Sequence, residues 1–384
     1  MISPKSYADR RHRIRRTLVE QVAGGLPFII SAPVNVAYLT GLFASNAAVL
    51  IDPDGRDRLC TDGRYVQIAH DLDPELPVSV ARASTHQLVL EAIDAGHGHV
   101  VLEGSLPIFV VNEFAQQVEI TTHTGIIEQA RRVKDEDEQA LLAAACAITA
   151  EAFHRLAAEI RVGQTEVLIA RRLEMLFAEL GADDRAFPSI VAAGSHAAIP
   201  HHAPGTREIQ PGDLLIVDAG ARVQGYHADM TRTFIVAAEP SSEFKDWQGA
   251  VHEAREAALQ VCQAGMPIAD MDQAARSVLD SHGYANRMPH GLGHGIGLQI
   301  HEDPMLTVAP VAARPPRQPG PSRNEESRLE YGMVVAVEPG VYVPGFGGVR
   351  IEDSFLVTEG EPRTLTRTND GEISTLLQIV GEPQ

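Results

Sequence analysis

The stretch "DLLIVDAGARVQGYHADMTRTFIV", residues 213–236, constrains the chain most. It reads as two apolar strands joined by a turn at Arg222–Gly225, with Asp218 ending one run and Asp229 standing at the edge of the other. Aspartate is disfavoured inside a strand, and two that face each other across a hairpin repel. Either one alone reads as a turn cap or a solvent-facing group. Both together, set in apolar strands, read as a pair built around a divalent cation.

A second segment repeats the design. In "GMVVAVEPGVYVPGFGGVRIEDSFLV", Glu338 closes an apolar strand and Glu352 lies within another. The period of two puts Arg350 and Glu352 on one face and Ile351 and Asp353 on the other, so Asp353 is expected to face solvent. Between the two segments lies "HGLGHGIGLQIHEDP", with three histidines and four glycines. Glycines let a backbone approach closely, which makes His294 in "GHGIG" the best ligand there, with His290 and His301 lining the pocket. In "GSHAAIPHHAPG", His201 or His202 is placed to donate a hydrogen bond to a developing oxyanion. The set is four carboxylates and one imidazole with no thiolate, which suits Mn²⁺, Co²⁺ or Zn²⁺. Because carboxylates bridge, five side chains suffice for two ions about 3.5–4 Å apart, whose bridging water ionises to hydroxide near neutral pH.

The 384 residues predict two domains. A small α/β domain, residues 1–125, ends where the strand pattern is lost near Thr121–Thr124. Residues 126–384 read as α+β, several helices covering a curved antiparallel sheet. The formal charge of −19 excludes a basic nucleic-acid surface. Three scattered cysteines read as buried thiols in a reducing compartment. The charged N-terminus lacks the apolar core of a signal peptide, and no apolar stretch is read as reaching spanning length. A cytoplasmic protein with no membrane partner is expected. Residues 308–328, rich in Pro, Arg and Ser, read as a mobile loop. Its Arg314, Arg317, Arg323 and Arg328 are read as solvated, with a bidentate grip on a substrate carboxylate as the alternative.

The segments "IVDAG…HADMTRTF", "HGLGHGIGLQIHEDP", "VEPGVY" and "GVRIED" occur in an order and spacing that resemble the pita-bread-fold metallopeptidases: prolidase, aminopeptidase P and methionine aminopeptidase. "NVAYLTGLFASNAAVLI" and "LCTDGRYVQIA" look like the creatinase/prolidase-type N-terminal domain of the first two. The resemblance implies that Asp218 binds one metal, that Asp229 and Glu352 bridge both, and that His294 and Glu338 bind the other. It also implies that Glu338 shuttles the proton, that His201 and His301 contact substrate at the scissile bond, and that His290 and Arg350 line the pocket. His202 has no counterpart. The implied reaction cleaves the bond before proline in dipeptides or short peptides, in a homodimer whose N-terminal domain helps close the partner's site. The loop arginines tilt the reading toward an Xaa-Pro dipeptidase and "TDGRY" toward an Xaa-Pro aminopeptidase. A metal-free creatinase-type hydrolase and a non-catalytic peptide-binding module share the fold, but the presence of all five ligands argues against both.

Overall fold

A computed structural model describes residues 2–21, 25–307, 327–368, 371–372, 374 and 378–381. The chain forms two compact units, one running to Arg131 and the other starting at Arg132.

The first unit is a mixed sheet with helices. Its strands are β1 (Phe28–Ile30), β2 (Ala47–Ile51), β3 (Arg58–Thr61), β4 (Val78–Val80), β5 (His99–Glu103) and β6 (Glu119–His123), in the order β4-β3-β2-β1-β5-β6. The expected hairpin is β2–β3, which pairs antiparallel, while β1–β5, β3–β4 and β5–β6 are parallel. Parallel neighbours need crossovers, supplied here by helices such as α4 (Ser84–Asp94), reached after α1 (Pro4–Gln21), α2 (Pro33–Thr40) and α3 (Val66–Leu72). Ile29, Leu50, Leu88, Val100 and Leu102 pack together in its core. After α5 (Ile108–Phe114) comes α6 (Ile126–Arg132), beyond the boundary expected at residue 125. Two polar contacts join α6 to the first unit: Asn35 donates to Glu128 at 2.7 Å, and Arg131 donates to Asn35 at 2.9 Å.

The second unit opens with α7 (Glu136–Glu159), where Asp135 and Glu138 form a reciprocal capping box. By length and composition α7 could cross a membrane, contrary to the reading above; half of its most apolar window is buried within this protein. Leu142, Cys146, Phe153 and Leu156 are its buried face, so the apolarity serves a core helix. Thr165 caps α8 (Glu166–Glu179) as expected, its side chain accepting from the Leu168 N–H. Two further helices, α9 (Ser242–Gln260) and α10 (Ile268–Ser281), cover the other core cluster, with Trp247, Val251, Met271 and Leu279 packed against Val335, Val337 and Phe355.

Past β7 (Asp184–Arg185), the strands β8 (Ile190–Ala193), β9 (Leu214–Ala219), β10 (Ala221–Val223), β11 (Tyr226–His227) and β12 (Met230–Val236) follow. β9 lies between β8 and β12, antiparallel to both. Later come β13 (Gly293–Gly295), β14 (Glu302–Leu306), β15 (Val334–Val337), β16 (Gly340–Val343), β17 (Gly347–Arg350) and β18 (Asp353–Leu356). A second, five-stranded antiparallel sheet runs β14-β13-β15-β18 and ends on the short strand Arg363–Thr364, and β16–β17 is a separate hairpin. An isolated bridge between Thr231 and Glu352 joins β12 to the chain just before β18.

Candidate metal centre

The register sets the carboxylates. Asp218 lies opposite Thr231 in the β9–β12 ladder, and Asp229 stands one residue before β12 begins. The two aspartates are therefore not a direct cross-strand pair, because the chain makes the extra β10–β11 turn between them. Thr231 is the hub: its hydroxyl donates to Glu352 Oε2 at 2.7 Å and accepts from Arg350 Nε at 3.1 Å.

His294 sits in β13 between β14 and β15, opposite Ala336. A side chain at Gly293 would run into the Ala336 carbonyl, and one at Gly295 into the Asp303 carbonyl. The glycine density therefore allows three strands to close around one imidazole. His294 Nδ1 lies 3.1 Å from the Gly295 carbonyl. A carbonyl only accepts, so Nδ1 carries the hydrogen and Nε2 presents a lone pair. That lone pair faces Asp229 Oδ2 at 3.6 Å and Glu338 Oε1 at 3.8 Å. Burial, reinforced by neighbouring His301, pushes the imidazole down to about 3, which keeps it neutral.

Asp229, His294 and Glu352 each offer one ligand atom within 4.8 Å of the others, and all three residues are buried. Asp218 Oδ1, Asp229 Oδ1 and Glu352 Oε1 are buried with no hydrogen-bond partner among the described residues. Each such group costs about 1–3 kcal/mol, more when charged, against a whole-domain stability of about 5–15 kcal/mol. Burial, then the mutual repulsion of the carboxylates, raises Asp229 and Glu352 well above the usual range. Burial likewise pushes Glu338 up to about 8, with Arg350 opposing and Asp218 adding. The clustered ligand atoms of Asp229, His294 and Glu352 and the orphaned carboxylate oxygens fit a divalent cation, and the oxygen-rich set fits the hard or borderline ions expected.

Arg350 is fully buried and holds the far wall. It donates to Asp218 Oδ2 at 2.5 Å and to the Tyr342 hydroxyl at 2.8 Å, and the latter stands 3.0 Å from His290 Nε2. His301 is exposed and meets His294 edge-on at 4.2 Å between ring centroids. His201 is also exposed, on the loop after Pro200, whose carbonyl accepts from Arg350 at 3.4 Å. His202 turns away to Glu166, at 2.9 Å.

Three readings need correction or completion. Asp353 does not face solvent: it is fully buried, accepting from Arg232 at 2.7 Å, Arg255 at 2.9 Å and Thr366 at 2.7 Å. The alternation across residues 350–353 is real, but both faces are covered. Arg328 is exposed, as read, and in addition donates to the Gly265 carbonyl at 2.6 Å, whereas Arg314, Arg317 and Arg323 lie outside the described residues. Thr231 and Tyr342 went unread. Thr231 stands two residues after Asp229, a spacing that puts both on one strand face; Tyr342 in "GVYV" carries no signal that separates it from an ordinary core aromatic.

The sequence profile of metallopeptidase family M24 matches residues 140–359, more than half of the chain. The chain belongs to that family. A creatinase/prolidase N-terminal domain profile matches residues 10–133 of this M24 member. It is 31% identical over 350 residues to an Xaa-Pro dipeptidase of Pyrococcus furiosus, covering 88% of this chain and 92% of that one. Among solved structures, the Xaa-Pro dipeptidase from Bacillus anthracis matches with a TM-score of 0.87 at 28% identity, over 97% of this chain and all of the other. An X-Pro aminopeptidase from Thermotoga maritima matches with a TM-score of 0.82 at 30% identity, over 94% and 99% of the two chains. The pita-bread fold expected from the sequence is thus the fold of this M24 metallopeptidase.

Proposed function

We propose that the protein is an Xaa-Pro dipeptidase that hydrolyses the bond before proline with two divalent ions. The observation that carries this reading is the buried cluster of Asp229, His294 and Glu352, whose ligand atoms lie within 4.8 Å of one another, together with carboxylate oxygens of Asp218, Asp229 and Glu352 that have no hydrogen-bond partner among the described residues. Its resemblance to the named dipeptidases supports the substrate class. Asp218, Asp229, His294, Glu338 and Glu352 hold the ions, Mn²⁺ foremost with Co²⁺ and Zn²⁺ also accepted by such a set. When bound, the ions supply an acidified water and a Lewis acid for the substrate carbonyl.

The rest falls to the chain's own side chains. The leaving nitrogen of an Xaa-Pro bond bears no hydrogen until it is protonated, so the site needs its own proton carrier. Glu338, with a side chain 21% exposed, is more accessible than Asp229 or His294. It takes the proton and delivers it to nitrogen. His201 and His301 approach the carbonyl oxygen from the open side, while His290 and Arg350 shape the wall behind. The protein works as a cytoplasmic homodimer.

The similarity to an X-Pro aminopeptidase keeps a second reading in play, in which the chain acts on longer peptides. Rates on Gly-Pro and on a longer Xaa-Pro-Yaa peptide, measured with Mn²⁺, decide between them. Preference for Gly-Pro supports the dipeptidase, and preference for the longer peptide replaces it with the aminopeptidase. Glu338→Gln should abolish turnover of either while leaving peptide binding measurable, and unchanged turnover would remove Glu338 from its role.

A further inference from the structure

We propose a second, separate metal site in this protein, formed by Glu166, His196 and His202 and suited to a borderline divalent ion such as Zn²⁺. Glu166 lies in the first turn of α8. His196 belongs to the short 3-10 turn Gly194–Ala198 after β8, and His202 follows it on the same loop. His196 Nδ1 stands 2.8 Å from Glu166 Oε1, and His202 Nε2 stands 2.9 Å from Oε2. All three ligand atoms lie within 4.8 Å of one another, and the two rings are 4.3 Å apart at 35°.

The ligand chemistry is that of a zinc site with two histidines, one carboxylate and an open position. Ligand atoms about 2.1 Å from one ion at the tetrahedral angle stand about 3.4 Å apart. The observed contacts thus need to open by only about half an ångström. The carboxylate is already oriented from behind, since the Ala193 N–H donates to Oε1 at 2.9 Å and the Gly205 N–H to Oε2 at 3.1 Å. Such outer hydrogen bonds hold metal-ligating carboxylates in place. Burial works against the charge of Glu166, but these two N–H groups and the two histidines together outweigh it and hold the carboxyl below its usual range. The Glu166 side chain is fully buried, whereas those of His196 and His202 are 34% and 14% exposed. The open side gives an ion a way in and a water a place to complete the coordination.

Without an ion, each imidazole must direct an N–H at the carboxylate, because two acceptors face to face repel. An ion takes the place of those two hydrogens, which move to the other ring nitrogens, so neutral histidines release no net proton. The ion would also tie down the loop that carries His201, fixing the segment between Ala193 and Gly205.

The test is a metal count on the full chain equilibrated with micromolar Zn²⁺ and passed through gel filtration. It compares the native protein with His196→Asn, His202→Asn and the double variant. Asparagine keeps a donor toward Glu166, so folding is spared where Glu166→Gln would leave buried N–H groups poorly matched. The double variant should hold about one ion fewer than the native protein. The same comparison is made on His294→Ala, which strips one ligand from the central site and leaves Glu166, His196 and His202 intact. There too the double substitution should cost about one ion. An equal count with and without the two histidines, in both backgrounds, would overturn the proposal and leave a hydrogen-bonded triad. The result in the His294→Ala background is independent of whether the central site works as a peptidase.

Discussion

Arg350 places one guanidinium nitrogen 2.5 Å from Asp218 Oδ2 and another 2.8 Å from the Tyr342 hydroxyl. One buried arginine thereby holds both a carboxylate proposed as a metal ligand and the tyrosine beside His290. It also leaves Asp218 Oδ1 free for a cation. Surrounding Tyr342, Asp218, Glu338 and Glu352 keep Arg350 charged in spite of its burial. The forked contact depends on a planar guanidinium, which a lysine ammonium does not reproduce. Arg350→Lys should weaken metal binding by about 10- to 100-fold, as removal of outer-shell partners does. Competition with a fluorescent chelator measures this, and unchanged affinity would show that Asp218 needs no support.

The buried cluster of Asp353 with Arg232 and Arg255 is structural. All three side chains are at most 6% exposed. Asp353→Ala strands two guanidinium groups, and breaking a buried pair in this way costs about 3–5 kcal/mol. Urea denaturation in the presence of a chelator should show that loss, which separates it from any effect on neighbouring Glu352. A change below about 1 kcal/mol, the usual worth of a surface pair, would contradict the assignment.

His290 gives the pH dependence a sign. Burial pushes its imidazole down to about 4, from an ordinary value near 6.5. The unfolded chain therefore binds a proton in the window from about pH 6.5 to about pH 4 that the folded chain refuses. Stability from this group is complete above pH 6.5 and falls as the pH drops through the window. By pH 5 the loss amounts to at most about 2 kcal/mol. His290→Gln should show a smaller drop in urea midpoint between pH 7 and pH 5 than the native protein. Parallel slopes would rule the histidine out as the source.

The sequence was most legible where a residue type conflicts with its surroundings. Asp218, Asp229, Glu338 and Glu352 stood out because carboxylates do not belong in apolar strands, and His294 because four glycines crowd its stretch. The β2–β3 hairpin was readable from Pro53-Asp54-Gly55, and α8 from its cap at Thr165. What stayed hidden depends on tertiary pairing. Asp353 looked solvent-facing because alternation fixes which face a residue takes but not what covers that face; α9 covers it, through Arg255. The residues alone left His201 and His202 as alternatives for the oxyanion, because the neighbour that engages His202, Glu166, comes from a helix more than thirty positions earlier. α6 escaped because its attachment runs through Asn35, in a distant part of the first unit.

The central claim is that Asp218, Asp229, His294, Glu338 and Glu352 cage a pair of cations. Mn²⁺ is the ion for the most direct test, since the hard, oxygen-rich set suits it and the imidazole-rich triad at Glu166 favours Zn²⁺. Electron paramagnetic resonance on chelator-stripped protein titrated with Mn²⁺ distinguishes a coupled pair from isolated ions. The account predicts uptake of about two ions per chain with the signal of a spin-coupled pair, as ions about 3.5–4 Å apart give. It also predicts that Asp229→Asn loses the coupling. Uptake that yields only the signal of isolated ions, or coupling that survives Asp229→Asn, would contradict it.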